Sequence, residues 1–390
     1  MKNLLYLFFL LFSFSVFAQC GGRYQQEIFD AVSVETYTYS ELYNLKLDLY
    51  QPEGDAETSR PLIILAHGGL FVAGSKTNPS MVSLGQSFAK RGYVVASISY
   101  RLMSSLDLIS SESAMNGVVK ALSDGRAAVR FFRKSFNEGN PHRIDPNQIY
   151  FGGNSAGGII AVHAAFMNED NITDQTLQGI ININGGINGN SGNEGYSSGV
   201  NGAISLAGAI FDLNFIGVED SNKILISCHG KLDATVPYLC GQPLTSPFLP
   251  VLCGGGAMFE HTEGLNFENH NHLSFGFLGH VPWEFIGGIE DQVIDFVSEA
   301  LFNNLNCNNI SLEEIKQSIT HVFPNPTKNN ISLSGCGKVK SLYLKNIYGE
   351  TVLQKENSSD LNLEKLPSGL YFIHGINQNN SIFQSSVIKH

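Results

Sequence analysis

The segment GNSAG, residues 153–157, constrains the fold of this chain more than any other feature of the sequence. It fits the G-x-S-x-G pattern, in which a serine sits on a sharp turn between a strand and a helix. Gly153 and Gly157 are small enough for the two sides of such a turn to pass close together. Residues 148–151 are typical of a short buried strand, and residues 158–166 of an apolar helix. The sequence therefore predicts a strand, a strained turn at Ser155 and a helix, in that order.

Two later residues are candidates to activate this serine. A serine hydroxyl is a weak nucleophile near neutral pH, so it needs a general base and a carboxylate that orients the base. Asp233, in HGKLDATVP, and His280 each follow a strand-like run, and loops after parallel strands meet at one edge of a sheet. We therefore predict a catalytic triad of Ser155, His280 and Asp233. Asp212, which also follows a strand, is the alternative acid, and a loop aspartate such as Asp233 also commonly caps a turn.

The segment HGG, residues 67–69, predicts an oxyanion hole. A tetrahedral oxyanion needs fixed backbone N–H groups in a dry pocket. Ala156, directly after the serine, offers one N–H group, and Gly69, in a glycine turn after a predicted strand, offers another. Leu70 stands where the HGGG form of this motif has its third glycine, and it keeps an N–H group while adding bulk. His67 and Gly68 are expected to brace the loop, as Gly153 and Gly157 shape the elbow.

Three other histidines raise the question of a metal site. The chain has 11 histidines, and His261, His270 and His272 form a loose group. Their spacing matches no standard metal motif, and structural zinc sites follow recognisable spacings. We therefore predict neither a metal nor a cofactor.

Composition and the order of apolar runs indicate the fold class. Hydrophobic residues make up 43% of the 390 residues and charged residues 15%, as in a globular protein with a large core. Up to residue 305, strand-like and helix-like segments alternate, which favours a mostly parallel α/β sheet flanked by helices. The predicted strands are residues 45–50, 62–66, 93–100, 148–151, 204–209, 223–228 and 273–278, and the predicted helices are residues 114–136, 158–166 and 283–302.

The charge of the chain limits the classes of partner that it is expected to bind. The formal net charge is −11 and no cluster of Lys and Arg is visible, which argues against a nucleic-acid partner.

Residues 185–202 are rich in Gly and Asn and are predicted to be a surface loop, either a cover over the site or a solvated connector.

The N-terminus indicates export. Residues 1–18 contain one charge, at Lys2, then a long apolar run, and end in Ala18, the pattern of a signal peptide cut before Gln19. The apolar run is slightly short for a membrane anchor and lacks a flanking block of charges. The mature protein is therefore expected to be exported without a membrane span.

The cysteines are consistent with an oxidising compartment. Six cysteines remain after removal of the signal peptide, and an exported chain with an even number can pair some of them. Two pairs are guesses from position, Cys240 with Cys253 and Cys20 with Cys307. Cys228 lies in an apolar run and is expected to be a buried free thiol.

A change of composition after residue 305 predicts a second module. After a linker at residues 306–321, residues 322–390 consist of short alternating strands with turn signals. VFPNPT opens this module, Tyr348 and Gly349 make a hairpin turn, and LPSGLYFI and SVIKH follow. These motifs resemble the type A sorting domain of the type IX secretion system of Bacteroidota. The resemblance implies a β-sandwich that the secretion machinery recognises and usually removes, whereas a carbohydrate-binding β-sandwich is the alternative.

Residues 19–305 resemble the carboxylesterase and lipase-like α/β-hydrolase family. The likeness rests on LDLYQPEG, LAHGGLFVAGSK, ISYRL, IDPNQIYFGGNSAGG, HGKLDATVP and GHVPW, in this order. It implies an α/β-hydrolase fold and cleavage of carboxylic esters, which in this family include acetyl and feruloyl groups on plant polysaccharides. Leu70 and residues 103–105 depart from the family pattern, so the size of the acyl group that family members accept cannot be assigned to this chain.

The combined expectation is a secreted or cell-surface serine esterase that acts on small-molecule or polysaccharide esters. A serine peptidase of the same fold is one alternative, although no insertion large enough for a propeller or cap is visible in the sequence. A catalytically silent hydrolase fold used for binding is the other alternative. Such a protein is expected to lack a member of the triad, and none is lost here.

Overall fold

In the computed structural model of the chain, the described residues are 22–305, 321–335, 337–346, 351–378 and 382–390. They form two compact units that divide after Leu305. Several predicted features lie outside the described residues: the signal peptide, most of the linker, the hairpin turn at Tyr348 and Gly349, and the pair Cys20 and Cys307.

The first unit is built on one large sheet with helices around it. Its strands are β1 (Val32–Ser40), β2 (Leu45–Pro52), β3 (Arg60–Ala66), β4 (Val94–Ile98), β5 (Ile144–Asn154), β6 (Gly202–Leu206), β7 (Ala209–Ile210), β8 (Ile224–Gly230), β9 (Cys240–Gly241), β10 (Leu252–Gly254) and β11 (His270–Phe275). Its α-helices are α1 (Pro79–Lys90), α2 (Ser111–Asn137), α3 (Ala156–Phe166), α4 (Gln175–Ile183), α5 (Gly255–Gly264) and α6 (Ile289–Asn304).

Eight of these strands form the large sheet, in the order β1-β2-β4-β3-β5-β6-β8-β11. β2 pairs antiparallel with both neighbours, and every pair from β4 to β11 is parallel. Parallel strands are covered on both faces, which is why β3, β4 and β6 are mostly apolar and are buried along their whole length. The predicted mostly parallel α/β sheet is confirmed.

The sheet differs from the prediction in a few elements. The strand expected at residues 273–278 lies three residues earlier, as β11, because its first polar residues include His270 and His272, whose rings are hydrogen-bonded to Ser227 of β8. The helix expected at residues 283–302 begins only at Ile289, after a short 3₁₀ turn at Pro282–Glu284. Strand β1 and helices α1, α4 and α5 were not predicted. None of the described helices is long and apolar enough to cross a membrane.

The Gly- and Asn-rich segment is a loop with many exposed residues, as predicted, and its residues are not among those that line the cleft beside Ser155. Two buried arginines of α2 hold it: Arg126 donates to the Ile187 carbonyl, and Arg130 donates to the carbonyls of Asn188 (2.6 Å) and Gly192 (2.9 Å). The guanidinium N–H groups thus satisfy carbonyl oxygens of a loop that has no regular secondary structure to pair them.

A small second sheet lies beside the large one. Its order is β7-β10-β9, and the disulfide Cys240–Cys253 joins its last two strands. This pairing was predicted, and so was the buried free thiol of Cys228, whose pKa is raised by burial. The disulfide closes a loop whose sequence separation is 13 residues.

In the second unit, the regular elements of the described residues are all β-strands, as predicted. Its strands are β12 (His321–Phe323), β13 (Asn330–Ser334), β14 (Val339–Lys345), β15 (Thr351–Glu356), β16 (Asp360–Asn362), β17 (Gly369–Asn377) and β18 (Ile382–Lys389). They form a three-stranded sheet, β12-β13-β16, and a four-stranded sheet, β15-β14-β17-β18. Residues of both sheets, among them Leu333, Leu361, Leu342 and Ile373, share one apolar core, so the two sheets pack face to face.

Candidate active site

Ser155 lies on the turn between β5 and α3, in a backbone conformation that few residues adopt. Its φ is 54° and its ψ is −114°, and such strain is a feature of functional sites. A Cβ atom on Gly153 would lie 2.4 Å from the Gly157 carbonyl carbon, and one on Gly157 would lie 1.9 Å from the Ala66 oxygen. Both positions therefore require glycine, as the sequence pattern predicts.

The structure brings the three predicted catalytic side chains into one hydrogen-bonded chain. His280 Nε2 lies 2.8 Å from Ser155 Oγ, and His280 Nδ1 lies 2.6 Å from Asp233 Oδ2. The other carboxylate oxygen of Asp233 accepts the N–H groups of Thr235 (2.8 Å) and Val236 (2.9 Å). With the carboxylate held in this way, His280 carries its proton on Nδ1 and presents a bare Nε2 to the hydroxyl.

The carboxyl group of Asp233 is ionised in this setting. Burial acts to raise its pKa, but hydrogen bonds from His229 and His280, the charge interaction with His280 and the Val236 N–H group outweigh burial and hold the pKa well below its ordinary value. The alternative acid, Asp212, lies elsewhere: it caps a 3₁₀ turn and accepts the Asn214 N–H group at 2.9 Å.

His229 is a site residue that the sequence analysis missed. It lies in the same HGKLDATVP segment, is 1% exposed, and its Nε2 is 3.0 Å from the Val236 carbonyl and 3.3 Å from Asp233 Oδ2. The Gly255 N–H group donates to its Nδ1 at 3.1 Å. Because Nδ1 accepts from Gly255, the proton on Nε2 is directed at the Val236 carbonyl and at the nearby carboxylate of Asp233.

Asn154 is a second site residue that was missed, and it connects the serine turn to the histidine segment. Its side-chain oxygen accepts the Trp283 indole N–H group at 3.2 Å, and its amide nitrogen donates to the Glu284 carboxylate. Asn154 is 3% exposed. The variable residue before the serine thus holds the segment that follows His280.

The segment 67–71 lies against the serine turn. A Cβ atom on Gly68 would be 3.1 Å from the Asn154 carbonyl oxygen and 3.3 Å from Ser155 Cβ, so a larger residue would require the serine turn to shift by a few tenths of an ångström. Gly69, Leu70 and Phe71 all have positive φ, at 117°, 55° and 62°. This conformation keeps the loop beside the N-terminus of α3, where the Ala156 N–H group has no partner within its own helix.

His67 holds this segment through a ring stack and hydrogen bonds. Its ring stacks on Tyr100 with centroids 4.2 Å apart, its Nδ1 is 2.7 Å from the Gly68 carbonyl, and the Tyr100 hydroxyl donates to the His67 carbonyl at 2.8 Å. Burial lowers the pKa of His67, so the ring is neutral. These contacts fit the bracing position that the sequence predicts for it.

The three histidines considered as metal ligands are engaged in hydrogen bonds. Ser227 Oγ lies 2.8 Å from His270 Nε2 and 2.7 Å from His272 Nδ1, whereas His261 Nε2 lies 3.0 Å from the Ile216 carbonyl. Burial lowers the pKa of His270 to about 3 and that of His272 to about 4. Within the described residues, no group of three or more His, Cys, Asp or Glu side chains could hold a metal ion.

An apolar cleft opens beside Ser155. It contains about 510 Å³ of space, part of it open to solvent. Apart from the hydroxyls of Ser155 and Thr235, its lining side chains are apolar, and most of them come from α2, α3, the segment 70–71 and the loop closed by the disulfide. Among the described residues, no charged side chain lines it.

Comparison with known protein families identifies two regions. The family described as BD-FAE matches residues 47–191, and the family described as Secretion system C-terminal sorting domain matches residues 321–389. The first match contains the segment 67–70 and Ser155, and the second spans β12 to β18.

Solved structures of Thermogutta terrifontis esterase 2 share the fold. The form phosphorylated by paraoxon has a TM-score of 0.50 and 20% identity, over 69% of this chain and 94% of that one. The form phosphonylated by cyclosarin has a TM-score of 0.50 and 19% identity, over 70% and 94%. At this level of identity the likeness shows the fold.

Two curated relatives match only in part. A probable isoprenylcysteine alpha-carbonyl methylesterase of Oryza sativa subsp. japonica is 33% identical over 119 residues, which are 30% of this chain and 25% of the relative. A non-reducing polyketide synthase of Stereocaulon alpinum is 28% identical over 159 residues, 39% of this chain and 6% of the relative. The matched part of this chain thus spans a quarter or less of either relative.

Proposed function

We propose that this chain, whose residues 47–191 match the BD-FAE family and whose residues 321–389 match a secretion sorting domain, is an exported serine carboxylic ester hydrolase of the α/β-hydrolase fold. The observation that carries the proposal is the continuous hydrogen-bonded chain from Ser155 through His280 to Asp233, with distances of 2.8 and 2.6 Å. A nucleophile, its base and the group that orients the base are all within hydrogen-bonding distance.

The proposed reaction has two halves. Ser155 Oγ attacks the ester carbonyl carbon while His280 Nε2 accepts the hydroxyl proton, and the backbone N–H groups of Gly69, Leu70 and Ala156 bind the oxyanion. His280 then donates that proton to the departing alcohol, and an acyl-serine remains. Water attacks the acyl-serine with His280 again as base, the carboxylic acid leaves, and the serine hydroxyl is restored. Asp233 holds the tautomer of His280 throughout.

The two ends of the chain support a location outside the cell. A sorting domain of this family directs a protein to the secretion machinery, and the expected domain plan is a signal peptide at residues 1–18, a catalytic domain at 19–305, a linker at 306–321 and a sorting domain at 322–390. Acyl esters of extracellular polysaccharides or small molecules are therefore the proposed substrates. No cofactor enters the proposed mechanism.

Labelling with paraoxon tests the proposed nucleophile directly. An activated serine displaces p-nitrophenol from paraoxon and keeps the diethylphosphoryl group on its Oγ. We expect one such group per chain, on the peptide that contains Ser155, detected by mass spectrometry, and none in Ser155→Ala. Labelling of a different residue, or none in the folded wild type, would contradict the proposal and favour a silent hydrolase fold.

His229 offers a matched pair of variants for the positioning of the acid. Gln places a donor near the position of Nε2 and keeps the hydrogen bond to Asp233, whereas Asn retains an acceptor near Nδ1 for Gly255 and loses that donor. A hydrogen bond to a charged group is worth about 1.5 kcal/mol, so we expect His229→Asn to lower kcat on a p-nitrophenyl ester by roughly tenfold. His229→Gln should stay closer to wild type. Equal rates for both variants, at equal melting temperatures, would assign His229 a purely structural position.

A further inference from the structure

The loop between Cys240 and Cys253 forms one wall of the cleft beside Ser155. Pro243, Leu249 and Leu252 of this loop line the cleft, and Leu249 and Leu252 are buried there. Other apolar residues of the same loop, Phe248 and Val251, are exposed. The loop therefore presents only some of its apolar side chains to the space beside the nucleophile.

The shape of this loop depends on its closure. Its ends are joined by the disulfide and by the short pairing of Leu252 with Gly241. Within the loop, Leu244 and Thr245 have φ values of 55° and 53°, a region that residues other than glycine rarely occupy. Local strain of this kind persists only where the surroundings hold it, and the covalent closure is part of what holds it here.

The opposite wall of the cleft depends on a glycine of α2. Met103 lines the cleft, and a Cβ atom on Gly117 would lie 2.2 Å from its Cε. Met103 therefore packs directly against the helix backbone at Gly117. A methyl group at this position must displace Met103, and the cleft is the apolar one of the two spaces that Met103 lines.

We propose that this cleft is the acyl-binding pocket, that it selects uncharged apolar acyl groups larger than acetyl, and that the disulfide-closed loop at residues 240–253 is the wall that sets this selection. The inference rests on the proposed function, because it assigns the cleft to the acyl group that becomes bound to Ser155. An apolar chain gains by leaving water for such walls. A carboxylate on the acyl group is excluded because no described side chain in the cleft could pair with its charge.

The expected ratio of kcat/KM between long and short acyl esters follows from the apolar area that each methylene buries. A buried methylene is worth about fourfold in kcat/KM, so four more methylenes give an increase on the order of 100-fold until the cleft is filled. We therefore expect the wild type to prefer p-nitrophenyl hexanoate over the acetate by such a factor. Ethyl butyrate should be cleaved, and the monoethyl succinate anion, which has the same length, should not, as measured by titration of the released acid.

Two independent variants test the walls. The double variant Cys240→Ala, Cys253→Ala and the wild type treated with tris(carboxyethyl)phosphine should both lose at least tenfold of the preference for hexanoate over acetate while still cleaving acetate. Gly117→Ala, in which alanine favours the helix, should push Met103 into the cleft and reduce the same preference without touching the disulfide. If the double variant does not fold, reduction of the folded wild type and Gly117→Ala decide the question.

The outcomes separate this inference from the proposed function. Cleavage of acetate but not of hexanoate by the wild type would overturn the acyl selection and leave the esterase proposal standing. An unchanged preference in the folded double variant would overturn the assignment of the loop. Absence of turnover for every ester, together with absence of labelling by paraoxon, would overturn the proposed function itself.

Discussion

Replacing Ser155 with alanine should reduce kcat for a p-nitrophenyl ester by a factor on the order of 10⁵ to 10⁶. The reason is that Ser155 Oγ is the atom expected to form the bond with the acyl group, and His280 has no other hydroxyl in the described structure at hydrogen-bonding distance. The backbone N–H groups remain in this variant and would still stabilise an oxyanion formed by water, so some residual rate above the uncatalysed reaction is expected.

The matched control for this variant is Ser59→Ala. Ser59 is exposed and precedes β3, so the same chemical change there should leave kcat at the wild-type value. Burst kinetics on the wild type would add a second measure, because a covalent acyl-serine releases one p-nitrophenol per chain ahead of steady turnover whenever its hydrolysis is slow. A Ser155→Ala rate within tenfold of wild type would contradict the assignment of the nucleophile.

Asp233→Asn should reduce kcat roughly 10⁴-fold. Asparagine can turn its amide toward His280 and donate to Nδ1, which leaves the proton on Nε2, the atom that must accept from Ser155. Because hydrogen bonds overcome the effect of burial and keep the pKa of Asp233 below its ordinary value, the wild-type carboxylate is ionised throughout the neutral range. The deficit of the variant should therefore be present at every neutral pH, as measured by kcat on a pH series.

Asp212→Asn is the control for the acid, because the sequence offered Asp212 as the alternative. Its carboxylate caps a short 3₁₀ turn by accepting the Asn214 N–H group. Because the side-chain oxygen of asparagine can accept the same N–H group, Asp212→Asn is expected to keep both the melting temperature and kcat close to the wild-type values. A large loss of kcat in Asp212→Asn with a normal rate in Asp233→Asn would reverse the assignment of the acid.

The parts of the fold that the sequence predicted are those encoded by neighbouring residues. The turn at Ser155 is one example, because two glycines, an apolar run before them and an apolar helix after them are all within a short segment. The sequence also contains the pattern of helix α1, because Met81, Leu84, Phe88 and Ala89 recur at helical spacing and are buried. This helix was not predicted. Strands such as β3 were found because both of their faces are covered.

The parts that were missed depend on residues far apart in the chain. His270 and His272 precede the strand predicted at residues 273–278, but they belong to β11 because the Ser227 hydroxyl, on the neighbouring strand, is hydrogen-bonded to both rings. His229 is directed at Asp233 only because Gly255, at the start of α5, occupies its other ring nitrogen. Such partnerships require the tertiary structure, since neither the period of apolar residues nor a short motif encodes them.

Asn154 has a consequence for how the site can vary. One amide group, adjacent to the nucleophile, donates to Glu284 and accepts from Trp283 in the segment that carries the base. The separation between hydroxyl and imidazole is thereby tied to a residue that the G-x-S-x-G pattern leaves unspecified. Two proteins that share the pattern but differ at this position need not hold their base at the same distance from the serine, so equality of motif does not guarantee equality of rate.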